Sequence, residues 1–316
     1  MRNMVRTLSL LGLLLWIPFS GYASCGFTGG ATSEESRSVS FGNVIVQRDV
    51  AVGETIATAN TGAYNNGNGM VGCSENWVYR FELSKWKNLS SAGDKIYDTN
   101  LPGVGIRMTE VRYSYPIPFD WPLGSGAVGI PDGVKVELIK TGDIQSGTLD
   151  SGLIARASVA NQFYFASVNL SGTNTITSVG CTIASPDPVN VVLGDHNKNE
   201  FVGGSWTEWK TFNIDLQCDK SARINVRIDA TQDASNIPGV MGLDNDGGDT
   251  TANGVGVELW YRSDNSAVQF GQQKPYYTSP YGGHETVQLQ ARYRQTADTV
   301  TAGQANATAT FTLTYQ

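Results

Sequence analysis

The sequence predicts an all-β protein built from two sandwich domains, and three observations carry that prediction. Short runs of alternating apolar and polar residues, rich in Val, Ile, Thr and Tyr, recur between Gly, Asn, Asp and Ser clusters. Helical periodicity is hard to find anywhere. The four cysteines fall into an early pair, Cys25 and Cys73, and a late pair, Cys181 and Cys218, in a chain of 316 residues that suits two domains of ordinary size.

The first 23 residues have the layout of a secretory leader. Arg2 and Arg6 form a basic start, residues 8–18 an apolar core, and Gly21 with Ala23 a small-x-small cleavage site, so the mature chain is expected to begin near Ser24. The apolar run falls short of the roughly 20 residues a spanning helix needs. An even cysteine count behind such a leader reads as disulfides in an oxidising compartment, one bridge per half when neighbours pair. No CxxC pair exists and His196 and His284 lie far from zinc-like cysteine spacings, so no metal or other cofactor is expected.

In the first domain, residues 24–170, strands are expected at 43–47, 77–83, 106–113, 134–140 and 162–169. Polar loops at 63–69 and a proline-rich loop at 115–122 lie between them, and loops on a rigid β scaffold are where binding often resides. Residues 171–180, short and rich in Gly, Ser and Thr, are expected to be a linker. In the second domain, residues 181–316, strands are expected at 189–193, 211–218, 222–230, 256–261, 286–294 and 307–315. The last alternates without a break: Ala307, Ala309, Phe311, Leu313 and Tyr315 point one way, and the threonines between them point the other. The acidic run 244–249 has half the spacing of a calcium loop but lacks its closing Glu and flanking helices, and is read as a solvated turn.

Charge and residue types exclude several functions. A formal charge of −7 and a pI near 4.9 argue against a nucleic-acid partner and against attraction to an anionic membrane. With every cysteine expected in a bridge and no histidine in the first domain, no serine or cysteine nucleophile has a base, and no enzyme is expected. The many carboxylates of the first half make a chance glycosidase-like pair uninformative. Trp77, Trp86, Tyr113, Tyr115 and Trp121 could stack on sugar faces, Trp121 most readily because it sits among prolines and an acid.

The second half resembles a fimbrial pilin domain at residues 181–183, 189–194 and 212–218. It does so again in the closing segments 287–293, 303–307 and 312–316, where Gly303 and the penultimate Tyr315 match the assembly signature of chaperone-usher subunits. The resemblance implies an incomplete immunoglobulin-like pilin fold that lacks its last strand. Its groove, beside Phe311, Leu313 and Tyr315, would be filled first by a periplasmic chaperone at an outer-membrane usher and then by the next fimbrial subunit. A terminal carboxylate at Gln316 directly after the strand suits capture by such a chaperone.

The first half resembles the receptor-binding domain of type-3-like fimbrial adhesins at residues 44–58, 96–107 and 147–149. That resemblance implies a shallow pocket for a host glycan or matrix protein at Thr55, Thr58, Ile96 and Arg107; the aromatic the family places after 147–149 has no match at 155–157, and Tyr164, further on, is the next candidate. A whole domain where a shaft subunit keeps its donor segment implies a cap at the fimbrial tip, on the cell surface. The alternative is a structural minor pilin whose first half docks onto another fimbrial component.

Overall fold

The structure, a computed structural model, describes residues 24–245 and 250–315. The expected leader, Gln316 and most of the acidic turn lie outside the described residues. Among those residues there is no α-helix, only two single 3-10 turns at Asn65–Gly67 and Lys198–Glu200.

Alternating side chains build the first sandwich. In Trp77–Leu83 the residues Trp77, Tyr79, Phe81 and Leu83 are buried while Val78, Arg80 and Glu82 stay partly exposed, the two-residue period of a half-buried strand. This strand lies in a five-stranded sheet ordered Phe119–Leu123, Trp77–Leu83, Gly152–Val159, Phe163–Leu170, Glu35–Val39. The facing sheet is ordered Thr55–Asn60, Val134–Lys140, Val104–Glu110, Tyr97–Asp98, and Val134, Val136 and Leu138 meet the first sheet's aromatics in one core. Tyr79 stands 5.1 Å from Phe119 and 5.4 Å from Phe165, ring centre to ring centre. Each such side chain taken from water stabilises the fold by roughly 1.5–3 kcal/mol.

The second sandwich has its own core. One sheet is ordered Cys181–Ile183, Lys210–Cys218, Gly283–Gln295, Val255–Tyr261, Val240–Met241, and it packs on Gln273–Thr278, Arg223–Asp229 and Thr310–Thr314. It is an incomplete immunoglobulin-like pilin fold, and its closing strand Thr310–Thr314 is paired on one side only.

Several expected elements are corrected. Residues 171–180 are not a free linker: Thr175–Val179 pairs in parallel with Asn43–Gln47, and the buried Asn174 accepts hydrogen bonds from Ser40 and Phe41 while donating to Ser171 and Gly172. The proline-rich loop holds the strand Phe119–Leu123, which tolerates Pro122 because it is an edge strand. No strand forms at 189–193, where Val192 is 81% exposed. Gly152–Val159 went unanticipated although it is central, because bulges near Ala155 and Ser158 break its alternation.

Both expected disulfides form, Cys25–Cys73 and Cys181–Cys218, each between directly opposed residues of an antiparallel pair. The second closes a loop with a sequence separation of 37. Replacing Cys181 and Cys218 together by alanine is expected to lower stability by roughly 2–4 kcal/mol. Urea unfolding checks this, and an unchanged midpoint would contradict it.

Candidate binding face and assembly edge

Strand register decides which of the expected pocket residues meet. Glu137 is opposed by Thr58 on one neighbouring strand and by Arg107 on the other, so the three form one row across the outer face of the facing sheet, which Tyr115–Pro116 completes as a fifth strand beside Val104–Glu110. Two positions along, Ile139 is opposed by Thr55 after a bulge and by Gly105 on its other side. Ile96 packs over Gly105: a Cβ built on that glycine would lie 2.7 Å from Ile96 Cγ2. Thr55 and Thr58 are exposed, whereas Ile96 is 2% exposed and serves as floor.

The row is electrostatically set. Arg107 Nε donates to Glu137 Oε2 at 3.1 Å, and Lys135 Nζ lies 3.1 Å from Glu137 Oε1. Burial opposes the charge on Glu137, but the hydrogen bonds from Arg107 and Lys135 outweigh it and hold the carboxyl below its usual range. The guanidinium is a third exposed, so its remaining donors are open to a ligand's carbonyl or anionic group.

The aromatic residues divide by burial. Trp77 is core, and Trp86 is partly buried beside Lys85. Tyr113, Tyr115 and Trp121 cluster at the open side of the sandwich, the tyrosine rings 4.7 and 5.1 Å from the indole. Tyr164 does not join the Arg107 row: it lies in the other sheet, donating to Glu82 and standing 3.5 Å from the Arg156 guanidinium.

Of the expected assembly residues, Phe311 and Leu313 lie on the closing strand Thr310–Thr314, whereas Gly303 packs against residues 250–252 and Tyr315 is held by Arg48 and Asp49. Phe311 and Leu313 oppose Ile228 and Val226 and pack partly buried on the core. The far edge of Thr310–Thr314 has no partner among the described residues, leaving main-chain groups free for strand addition. Gly303 is required by close approach, since a Cβ there would meet the Ala252 nitrogen at 2.4 Å. Tyr315 is 1% exposed, and burial pushes its phenol up.

What holds Tyr315 was not legible in the sequence. Its N–H donates to Asp49 Oδ2 at 3.0 Å, Asp49 N–H donates to the Tyr315 carbonyl at 3.1 Å, and the Arg48 guanidinium lies 4.5 Å from its ring centre. Beside them Gln47 spans the two sandwiches, donating to the Ser221 carbonyl and accepting from Arg223 N–H. The histidines make surface pairs, His196 with Glu200 and His284 with Asp215. Asp244 accepts from Thr308; the rest of the expected turn is outside the described residues, apart from Asn245.

Comparison with known proteins agrees with this division. Residues 38–173 match the family model of the MrkD-like receptor binding domain, and residues 168–316 that of the fimbrial protein. A fimbria adhesin protein of Klebsiella pneumoniae is 28% identical over 321 aligned positions, covering 96% of this chain and 98% of that protein. The chain belongs to the fimbrial adhesins. The adhesin also aligns with a fimbrial subunit type 1 of Salmonella typhimurium, 28% identical over 45% of this chain and 78% of that one. Among solved structures, the receptor binding domain of a plasmid-born Klebsiella pneumoniae adhesin matches at a TM-score of 0.44 and 24% identity, covering 51% of this chain and 99% of that one.

Arg107→Ala is expected to leave the buried Glu137 with Lys135 as its remaining cation, raising its folded-state pKa toward the unfolded value. A carboxyl with a depressed folded pKa contributes stability above its unfolded pKa and loses it as pH falls through the folded one. The variant should therefore be less stable near neutrality and lose less stability on acidification. Thermal melts from neutral pH to about pH 3 test this, and parallel curves for the two proteins would refute it.

Proposed function

We propose that the adhesin sits at the tip of a chaperone-usher fimbria, binds a host glycan or matrix protein through its first sandwich, and joins the fibre by strand addition to its second. The observation that carries the reading is the use of the segment between the two sandwiches. Thr175–Val179 is committed to the first sandwich through Asn43–Gln47, so this segment offers no donor strand to a neighbour, while Thr310–Thr314 leaves an edge open to receive one. A subunit that receives a strand without giving one caps a fibre.

The reading assigns residues 24 to about 179 to receptor binding, with the Thr58–Glu137–Arg107 row and Thr55 as the contact face over Ile96. Passage through the periplasm would bring the free edge first to a chaperone and usher, then to the next subunit. No covalent chemistry is assigned to any residue.

Binding of the full chain to arrays of glycans and matrix proteins tests the first role. Arg107→Ala should weaken binding roughly 10- to 100-fold, the worth of a hydrogen bond from a charged donor, and Thr58→Val should weaken it less. Equal binding by both variants and the parent would move the site elsewhere; no binding by the parent would favour a structural minor pilin. Leu313→Asp should be absent from purified fimbriae by mass spectrometry, and its normal incorporation would overturn the second role.

A further inference from the structure

A cleft of about 370 Å³ opens where the two sandwiches meet. One wall carries Ile45, Val50 and Ile56 and the other Arg223 and Thr278, with Gln47 fixed at its base by its bonds to Ser221 and Arg223. Ile45 is 53% exposed, a large aliphatic side chain left facing water. The guanidinium of Arg223 has no hydrogen bond, ion pair or ring partner among the described residues, although the chain carries an excess of acids and most of its arginines are paired.

The backbone at this cleft is also incomplete. Asn43–Gln47 is the last strand of its small sheet and Thr55–Asn60 the first of the larger facing sheet, so each ends its ladder with an unpaired outer edge. Both strands contribute to the cleft, yet they do not pair with each other. An edge strand with an exposed aliphatic residue and no covering element is a template for a further strand.

We propose that this cleft is a docking site for an extended acidic peptide segment of a partner protein, which adds to the free edge of Asn43–Gln47. Main-chain hydrogen bonds supply affinity, an aliphatic side chain of the peptide packs on Ile45 and Ile56, and a carboxylate next to it meets Arg223 at the Gln47 end. The charge selects the occupant: a lone guanidinium beside an aliphatic wall suits an acid next to an apolar residue and disfavours a basic or uniformly polar segment. Because the walls come from both sandwiches, the bound peptide ties them together. The site is separate from the edge at Thr310–Thr314 and shares only Thr55 with the proposed receptor face, so it goes beyond the adhesin reading and does not rest on it.

The test uses the full chain and two fluorescent peptides of alternating valine and threonine, one ending in glutamate and one in lysine, followed by anisotropy. The glutamate peptide should bind about tenfold or more tightly than the lysine peptide, and Arg223→Glu should invert that preference. Ile45→Lys, at an exposed position that leaves the core intact, should abolish binding of both peptides, with thermal melts confirming folding. Val192→Asp, at an exposed position outside the cleft, should leave binding unchanged. Absence of binding, indifference to Arg223→Glu, or loss of binding in Val192→Asp in place of Ile45→Lys would overturn the proposal.

Discussion

Three consecutive residues, Val179, Gly180 and Cys181, carry the junction on which both sandwiches depend. The Val179 carbonyl accepts from Arg48 N–H and completes the parallel ladder of the first unit, while Cys181 opens the second through its bridge to Cys218. Between them Gly180 N–H donates to Asp219 Oδ2 and its carbonyl accepts from Asp219 N–H. A side chain at Gly180 would press on Arg48, with its nearest atoms 3.2 Å away, and Arg48 is the residue stacked on Tyr315. Main-chain pairing therefore runs without interruption from one sandwich to the other, and the closing strand is drawn into the same knot through Tyr315.

The same pairing logic explains where the molecule is complete and where it is open. Most strands of the two sandwiches find partners within their own unit, as buried backbone groups must. The exceptions are edges, among them the far side of Thr310–Thr314 and the outer sides of Asn43–Gln47 and Thr55–Asn60. Residues 189–193 belong to this account, since an alternating segment forms no strand when nothing beside it supplies a ladder.

Local pattern made the fold class and many strands readable. Trp77–Leu83 and Val134–Lys140 appear with the bounds their alternation predicts, and Lys210–Cys218 within one residue. Elements whose identity depends on distant partners were not readable: Thr175–Val179 looks like a polar linker until Asn43–Gln47, some 130 residues earlier, lies beside it. Gly152–Val159 hides because two bulges turn its side chains against the simple period. The binding face shows the same limit. Thr58, Glu137 and Arg107 form a row only through register, and the Asp49 hold on Tyr315 spans a sequence separation of 266.

The parallel pairing of Thr175–Val179 with Asn43–Gln47 has a mechanical meaning. The chain leaves the first sandwich at the end of this strand, so tension along it toward the second sandwich slides five paired residues past their partners together. Hydrogen bonds loaded in shear share the force, whereas a strand peeled from its tip breaks them one after another. The link to the second sandwich is thus placed where the first resists pulling by the joint strength of a ladder and not of a single rung.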